Sequence, residues 1–195
     1  MGTMTEILRL IHIVNAMLMI WPFYALVAVN QRGRLGPPLG DRVDVYMENI
    51  IKNRTIPCFV FQGTALVSGI ALVLLHGRTL ADIVMDPILA LKFIPLILIS
   101  GLLTYVHLSL QPRIDALFAQ AGGAPASPEQ AKQIGPLRIR RKRLASICLF
   151  VVLLSTMLGV QVWAPFPIWL TAVLTAAAAL YTWRAYSSVT PYGWA

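Results

Sequence analysis

Long runs of apolar residues dominate the pattern of this chain, and shorter polar segments separate them. A helix rises about 1.5 Å per residue, so about 20 apolar residues cross the hydrocarbon core of a bilayer. Open strands are excluded because their backbone groups would stay unpaired in lipid. The pattern therefore predicts an all-α, polytopic integral membrane helix bundle with five transmembrane helices. The predicted spans cover about residues 6–30, 56–76, 88–111, 144–163 and 168–186.

Basic residues are concentrated in two of the segments between spans, 31–55 and 112–143. The other two connections carry Arg78 alone or no basic residue. By the positive-inside rule, both basic segments are predicted to be cytoplasmic loops, with the N-terminus outside and the C-terminus in the cytoplasm. Residues 120–136, rich in glycine, alanine and proline, predict a flexible connector. The whole chain is expected to form one membrane domain, in a bacterial-type inner membrane.

The composition of the chain agrees with a membrane protein, and its charge does not indicate a nucleic-acid-binding protein. Hydrophobic residues make up 57% of the chain and charged residues only 12%, whereas a soluble domain carries about a quarter charged residues. The net charge is +8, and the basic cluster 138–143 directly precedes the fourth span. This cluster is predicted to contact anionic lipid, at about 1 kcal/mol per charge, and not nucleic acid. An acidic surface on a partner protein is the alternative.

Polar residues inside predicted spans are costly and indicate function. His12 lies roughly 10 Å from the outer end of the first span, and Asn15 lies one helical turn deeper on the same face. Lys92 enters the third span from the same side of the membrane. We therefore predict a polar cluster in the outer leaflet formed by His12, Asn15 and Lys92.

A second candidate layer lies near the cytoplasmic surface. His107 lies near the cytoplasmic end of the third span, and Cys58 and Cys148 each lie within about a turn of the cytoplasmic end of a span. Thiolate and imidazole ligands suit zinc or copper, so these three residues are candidate metal ligands. The alternative is structural, because a buried free cysteine behaves as a small hydrophobic residue and His107 can serve as an interfacial aromatic beside Tyr105.

The segments LRLIHIVNAMLMIW and KFIPLILISGLLTYVH, in the first and third spans, carry a resemblance to a known group of proteins. They resemble the small bundle proteins around HemJ-type protoporphyrinogen oxidase and the copper-resistance D group. The resemblance implies a b-type haem and points to His12, Lys92 and His107. His12 and His107 differ by roughly 15–20 Å along the membrane normal, so they are not expected to ligate the same haem.

Three classes of function follow. The first is a non-catalytic accessory or assembly subunit of a larger membrane redox (electron-transfer) complex, because no catalytic motif is recognisable and small residues such as Ser68, Gly69 and Gly159 favour close helix packing. The second is a cytochrome-like protein or oxidase that binds haem b. The third is a small transporter in which Lys92 and Asn15 line a path. Membrane lipids and other membrane subunits are the expected partners.

Overall fold

The computed structural model describes residues 2–20, 30–52, 55–122 and 124–192. These residues form helices joined by turns and irregular segments, without a β-strand among them, and the all-α prediction is confirmed. The helical elements in chain order are α1 (Thr3–Leu18), a 3-10 turn (Gln31–Arg34), α2 (Arg42–Lys52), α3 (Thr55–Leu75), α4 (Asp82–Met85), α5 (Pro87–Tyr105), a π-helical turn (Val106–Leu110), α6 (Gln111–Gln120), α7 (Pro128–Trp163) and α8 (Ile168–Ser187).

Three helical stretches in the described part of the chain are long and apolar enough to cross a membrane, where the sequence predicts five spans. They contain α3, the continuous stretch from α5 through α6, and α7. Large apolar side chains on α3 and α5 point away from the bundle, and more than half of the surface is exposed at Val60, Val67, Ile94 and Ile97. Because lipid tails are as apolar as these side chains, such a surface suits a bilayer.

The first and last predicted spans also contain helices. The helix α1 ends at Leu18, and residues 21–29 of the first predicted span lie outside the described residues. The helix α8 is 20 residues long and carries Arg184 in its last turn. Trp169 and Trp183, near its two ends, are both largely exposed. Tryptophan at the ends of a helix is typical of the two membrane–water interfaces.

Pro112 does not end the helical stretch that begins with α5, although the third predicted span stops at residue 111. Proline has no N–H, and its ring crowds the carbonyl group four residues earlier. A π-helical turn precedes it, and the Gln111 N–H bonds to the Val106 oxygen, which widens the hydrogen-bond ladder at this point. The chain then continues as α6, so residues 111–120 are helical and not an open loop.

The far end of the segment predicted as a loop, 112–143, is helical as well, because α7 begins at Pro128 and contains 36 residues. The Ser127 hydroxyl accepts a bond from the Gln130 N–H, and the Gln130 side chain accepts one from the Ser127 N–H. This capping box starts the helix, and proline suits its first turn because no intrahelical donor is needed there. The flexible connector predicted for 120–136 is reduced to the short link between α6 and α7.

The helix α7 lies between α5 and α8 and packs against both, while α1 packs against α3. Ile99 on α5 meets Val151 and Val152 on α7 in a small buried apolar cluster. Met19 and Ile20, just after α1, pack against the same cluster. The bundle core therefore joins the end of α1 to α5 and α7 in the apolar half of the molecule.

Two acidic side chains of α2 and two arginines of α7 form a buried ion-pair network at the other end of the bundle. Arg138 Nη1 lies 2.9 Å from Asp44 Oδ2, and Arg138 Nη2 lies 3.1 Å from Glu48 Oε2. Arg141 pairs with the Glu48 carboxylate and donates to Gln111 Oε1 at 2.7 Å. Burial raises the pKa of Glu48, but the positive charges of the two arginines lower it by more, so that the pKa is about 2. These arginines therefore bind protein, and the predicted contact with lipid is wrong for them.

Lys142 is buried beside this network and joins α7 to the end of the described chain. Its ammonium group donates to the backbone oxygens of Thr190 and Pro191, at 3.2 and 3.0 Å. Burial, together with the positive charges of Arg141 and Arg138, lowers the pKa of Lys142 to about 7. The C-terminal segment is therefore held against the polar half of α7.

The remaining two basic residues of the cluster 138–143 face outward. The Arg140 guanidinium lies 5.3 Å from the centre of the Tyr105 ring, and the Arg143 guanidinium lies 5.1 Å from that of Tyr186. Both arginines are exposed, and each stacks on an aromatic ring in a cation–π contact. The prediction of contact with anionic lipid headgroups or with an acidic partner stays open for these two side chains.

Candidate functional site

His12 lies on the face of α1 that packs against α3. Its Nδ1 atom is 2.8 Å from the Ser68 hydroxyl oxygen. The next residue of α3, Gly69, lets the two helices approach here, since a Cβ atom at that position would lie 3.4 Å from His12 Cε1. The imidazole is therefore held by one hydrogen bond and by close contact with a glycine.

The neighbours of Ser68 determine which nitrogen of His12 carries the proton. The Ser68 oxygen lies 2.5 Å from the Thr64 carbonyl oxygen, so the single hydroxyl hydrogen is donated to that carbonyl. We therefore assign His12 Nδ1 as the donor to Ser68, which leaves a lone pair on Nε2 of the neutral ring. Nε2 has no hydrogen-bond partner among the described residues. It is free to accept a hydrogen bond or to ligate a metal.

Lys92 extends from α5 to the facing surface of α7. A Cβ atom at Gly159 would lie 3.4 Å from Lys92 Nζ and 3.6 Å from Cε, so the absence of a side chain there makes room for the lysine. Within the described part of the chain, no hydrogen bond or ion pair involves the Lys92 side chain. Its three ammonium donors are therefore available to a ligand.

His12 and Lys92 line one cavity of about 640 Å³ between α1, α3, α5 and α7. Leucine, isoleucine, valine and methionine side chains form most of its wall. None of the described residues that line it is an aspartate or a glutamate. The basic side chains in the wall are Arg9, His12, His76, Arg78 and Lys92. The cavity is thus apolar and carries basic groups alone as its ionisable residues.

The two arginines of the cavity wall have carboxylate partners outside it. Arg9 Nη1 donates to both oxygens of Glu6, at 2.7 and 2.8 Å. Arg78 Nη1 lies 2.6 Å from Asp86 Oδ2. Lys92 differs from both, because the described chain places no carboxylate beside it. Lys92 is therefore the cation of the wall that is available to pair with a bound anion.

Asn15, the third member of the predicted outer cluster, does not line the cavity. Its side-chain nitrogen donates to the Phe61 carbonyl oxygen at 2.7 Å, and the residue is buried. This bond joins α1 to α3 one turn away from His12. The structure therefore brings His12 and Lys92 together and assigns Asn15 to the helix interface.

His107 lies in the π-helical turn, with its ring edge against Phe59 on α3. The ring centres are 6.0 Å apart and the ring planes meet at 80°. Phe59 precedes Ser68, the partner of His12, by nine residues, or about 14 Å of helix. The two histidines therefore contact α3 at separate levels, and they are too far apart to flank one haem iron.

Cys58 and Cys148, the other candidates of the inner layer, are both half-buried. Within the described ranges, no group of three or more histidine, cysteine, aspartate or glutamate side chains is arranged to hold a metal ion. All three inner candidates, these cysteines and His107, belong to those ranges. A metal site shared by the three therefore stays a prediction.

The sequence indicated Ser68, Gly69 and Gly159 as packing residues but not as neighbours of the polar groups. A small residue on one helix that faces an ionisable residue on another would have indicated these contacts. This pairing can be recognised only when it is known which helices pack together.

The resemblance of the segments in the first and third spans to a known group of proteins stays a prediction. The chain matches no protein-family model, and neither a curated protein nor a solved structure is significantly similar to it.

Proposed function

We propose that this chain is a non-catalytic, ligand-binding accessory subunit of a larger membrane redox assembly. The cavity carries this proposal, because Lys92 lacks a carboxylate partner there and His12 Nε2 lacks a hydrogen-bond partner. Small-molecule sites are mostly apolar, contain a few polar groups, and enclose about 300–1,000 Å³. A cavity of about 640 Å³ with two available polar groups fits that description.

The proposed membrane arrangement has five spans, with the N-terminus outside and the C-terminus in the cytoplasm of a bacterial-type cell. The three long apolar stretches and the 20-residue α8 support the number of spans. The basic residues on either side of α2 and in the first part of α7 support the orientation. In this arrangement the cavity lies in the outer leaflet and the ion-pair network lies on the cytoplasmic side.

Single cysteines on the two sides test this orientation. A protein with serine at Cys58 and Cys148 receives either Leu80→Cys, before α4, or Ala124→Cys, between α6 and α7. Both positions are exposed. A membrane-impermeant maleimide should label Leu80→Cys on intact cells, and should label Ala124→Cys only after permeabilisation. The reverse pattern would contradict the orientation.

The proposed assembly is tested by gentle detergent extraction, native electrophoresis and mass spectrometry. Arg140 and Arg143 support a partner with an acidic surface, because both are exposed beside the buried network. The expected result is a stable species much larger than the 21.5 kDa chain that contains further membrane subunits. A single chain that carries out a complete redox reaction would show that the subunit proposal is wrong.

A second candidate function is the binding of haem b through His12. The Nδ1–H bond to Ser68 favours it, because ligating histidines almost always donate their other ring N–H to an oxygen. His12 would hold the haem, and the bound haem would supply one-electron transfer. A visible spectrum of the purified protein, with and without dithionite, tests this candidate. His12→Phe should abolish the haem bands and His107→Phe should retain them, while wild-type protein without haem bands would contradict it.

A further inference from the structure

We infer that the cavity binds a single-chain amphiphile with an anionic head, and that Lys92 is the counter-charge of that head. The inference rests on the proposed function, because it names the chemical class of the ligand in the same cavity. It follows from three features of the wall: the pairing of its cations, the proton arrangement of His12, and the size of its apolar part.

The pairing of the cations indicates a negative charge on the ligand. Arg9 and Arg78 already have carboxylate partners, whereas Lys92 has neither an ion pair nor a hydrogen bond within the described residues. An ammonium group that loses water to an apolar surrounding without a partner is unfavourable. An anionic head beside Lys92 removes this penalty, and a cationic head would be repelled.

The proton arrangement of His12 indicates an oxygen that carries a hydrogen. Nδ1 donates to Ser68, so Nε2 is an acceptor in the neutral ring. A head with an ionised oxygen for Lys92 and a proton-bearing oxygen for His12 satisfies both side chains. The monoanion of a phosphate monoester provides both oxygens, whereas an ionised carboxylate provides only the oxygen for Lys92.

The apolar wall indicates the rest of the ligand. Leu66, Ile70, Phe93, Leu96 and Val152 belong to this wall, which extends over four helices. The volume of about 640 Å³ is in the range of pockets that hold one drug-sized molecule. A single hydrocarbon chain with a small head matches this size better than a complete two-chain phospholipid.

Three probes with the same chain and different heads test the inference: oleate, oleyl phosphate and oleyl alcohol. Full-length protein is purified in a neutral detergent, freed of bound lipid, and titrated with each probe by native mass spectrometry. We expect at least one anionic probe to bind about 10- to 100-fold more tightly than the alcohol, as a charge-assisted hydrogen bond provides. The stronger of the two anionic probes identifies the head as carboxylate or phosphate.

Two lysine variants locate the charge that matters. Lys92→Met should reduce the affinity for the anionic probe to that for oleyl alcohol, without changing the affinity for the alcohol. Lys132→Met removes the same charge from a side chain that is 77% exposed, far from the cavity in sequence and fold, and should bind like wild type. Lys92→Gln replaces Lys92→Met if circular dichroism shows that the methionine variant does not fold.

The outcomes separate this inference from the proposed function. Equal binding of all three probes to wild-type protein would overturn the anionic head and leave the ligand-binding cavity intact. A preference for the anionic probe that survives in Lys92→Met would overturn the assignment of Lys92. Binding of none of the probes would overturn the inference alone, whereas the proposed function is overturned by a single chain that carries out a complete redox reaction.

Discussion

The two ends of the helix bundle treat buried basic side chains in opposite ways. In the network at α2 and α7, Arg138 and Arg141 are at most 4% exposed, and Asp44 and Glu48 neutralise them. In the cavity, no acidic side chain among the described residues pairs with Lys92. Acids of the same chain pair with the arginines of the network, which serves the fold, whereas the cavity leaves a charge that a bound molecule can neutralise. Substitutions in the two regions should therefore change stability in opposite directions.

The largest effect is expected when the network loses an acid. Glu48→Gln leaves Arg138 and Arg141 buried with one carboxylate fewer, and breaking a buried ion pair from one side costs about 3–5 kcal/mol. Thermal unfolding in detergent should show a large decrease in stability. Glu129→Gln is the matched control, because Glu129 is 79% exposed and should change the unfolding free energy by less than about 1 kcal/mol.

Acid should weaken the same network and leave Glu48→Gln less affected. Glu48 has a pKa of about 2 in the folded chain and an ordinary value of 4.5, which corresponds to about 3 kcal/mol at most. Because the folded pKa is the lower one, this stability is present above pH 4.5 and is lost as the pH falls towards 2. The difference in unfolding free energy between wild type and Glu48→Gln should shrink over that interval. A constant difference would show that Glu48 does not titrate in this way.

Removal of the charged side chain from the cavity should raise stability, in contrast to the loss expected in the network. Lys92→Met removes a half-buried charge without a partner, so ligand-free protein should become more stable, by about 1–2 kcal/mol. Thermal unfolding of lipid-depleted protein tests this, with Lys132→Met as the control that should leave stability unchanged. A loss of stability in Lys92→Met alone would show that the charge of Lys92 stabilises the ligand-free protein, and this would contradict the contrast between the two regions.

The smallest effect is expected at the hydrogen bond that orients His12. Ser68→Ala removes the acceptor of the Nδ1–H group and should lower the unfolding free energy by about 0.5–1.5 kcal/mol. The affinity for the anionic probe should fall several-fold, because the ring is no longer held with Nε2 as the acceptor. Ser155→Ala is the matched control, since Ser155 also lines the cavity and its hydroxyl forms no hydrogen bond within the described chain. Equal effects of both variants would contradict this role of Ser68.

The sequence alone determined the class of the protein and the position of its apolar helices. The second predicted span, 56–76, matches the helix Thr55–Leu75 closely, because the length and apolarity of a run are local properties. The same reasoning ended helices too early where the chain becomes polar. Residues 111–120 and the first turns of α7 are helical because a π-helical turn accommodates Pro112 and a capping box precedes Pro128.

The sequence also singled out His12 and Lys92, because ionisable residues in an apolar run are few and costly. It gave Asn15 the same role, although Asn15 bonds to the α3 backbone and does not reach the cavity. His12 and Asn15 lie on the same helix and differ in the direction of the side chain. Which of the two faces the cavity depends on how the neighbouring helices pack.

Only the tertiary structure decided which charges serve the fold and which are available to a ligand. Arg138 and Arg140 are two residues apart and chemically identical, yet Arg138 is 2% exposed and Arg140 faces outward. The partner of Arg138 is Asp44, 94 residues away along the chain. The apolarity of each segment depends on its own residues, so the sequence alone determines it. The fate of a charge depends on contacts between distant segments, which exist only after the helices have packed.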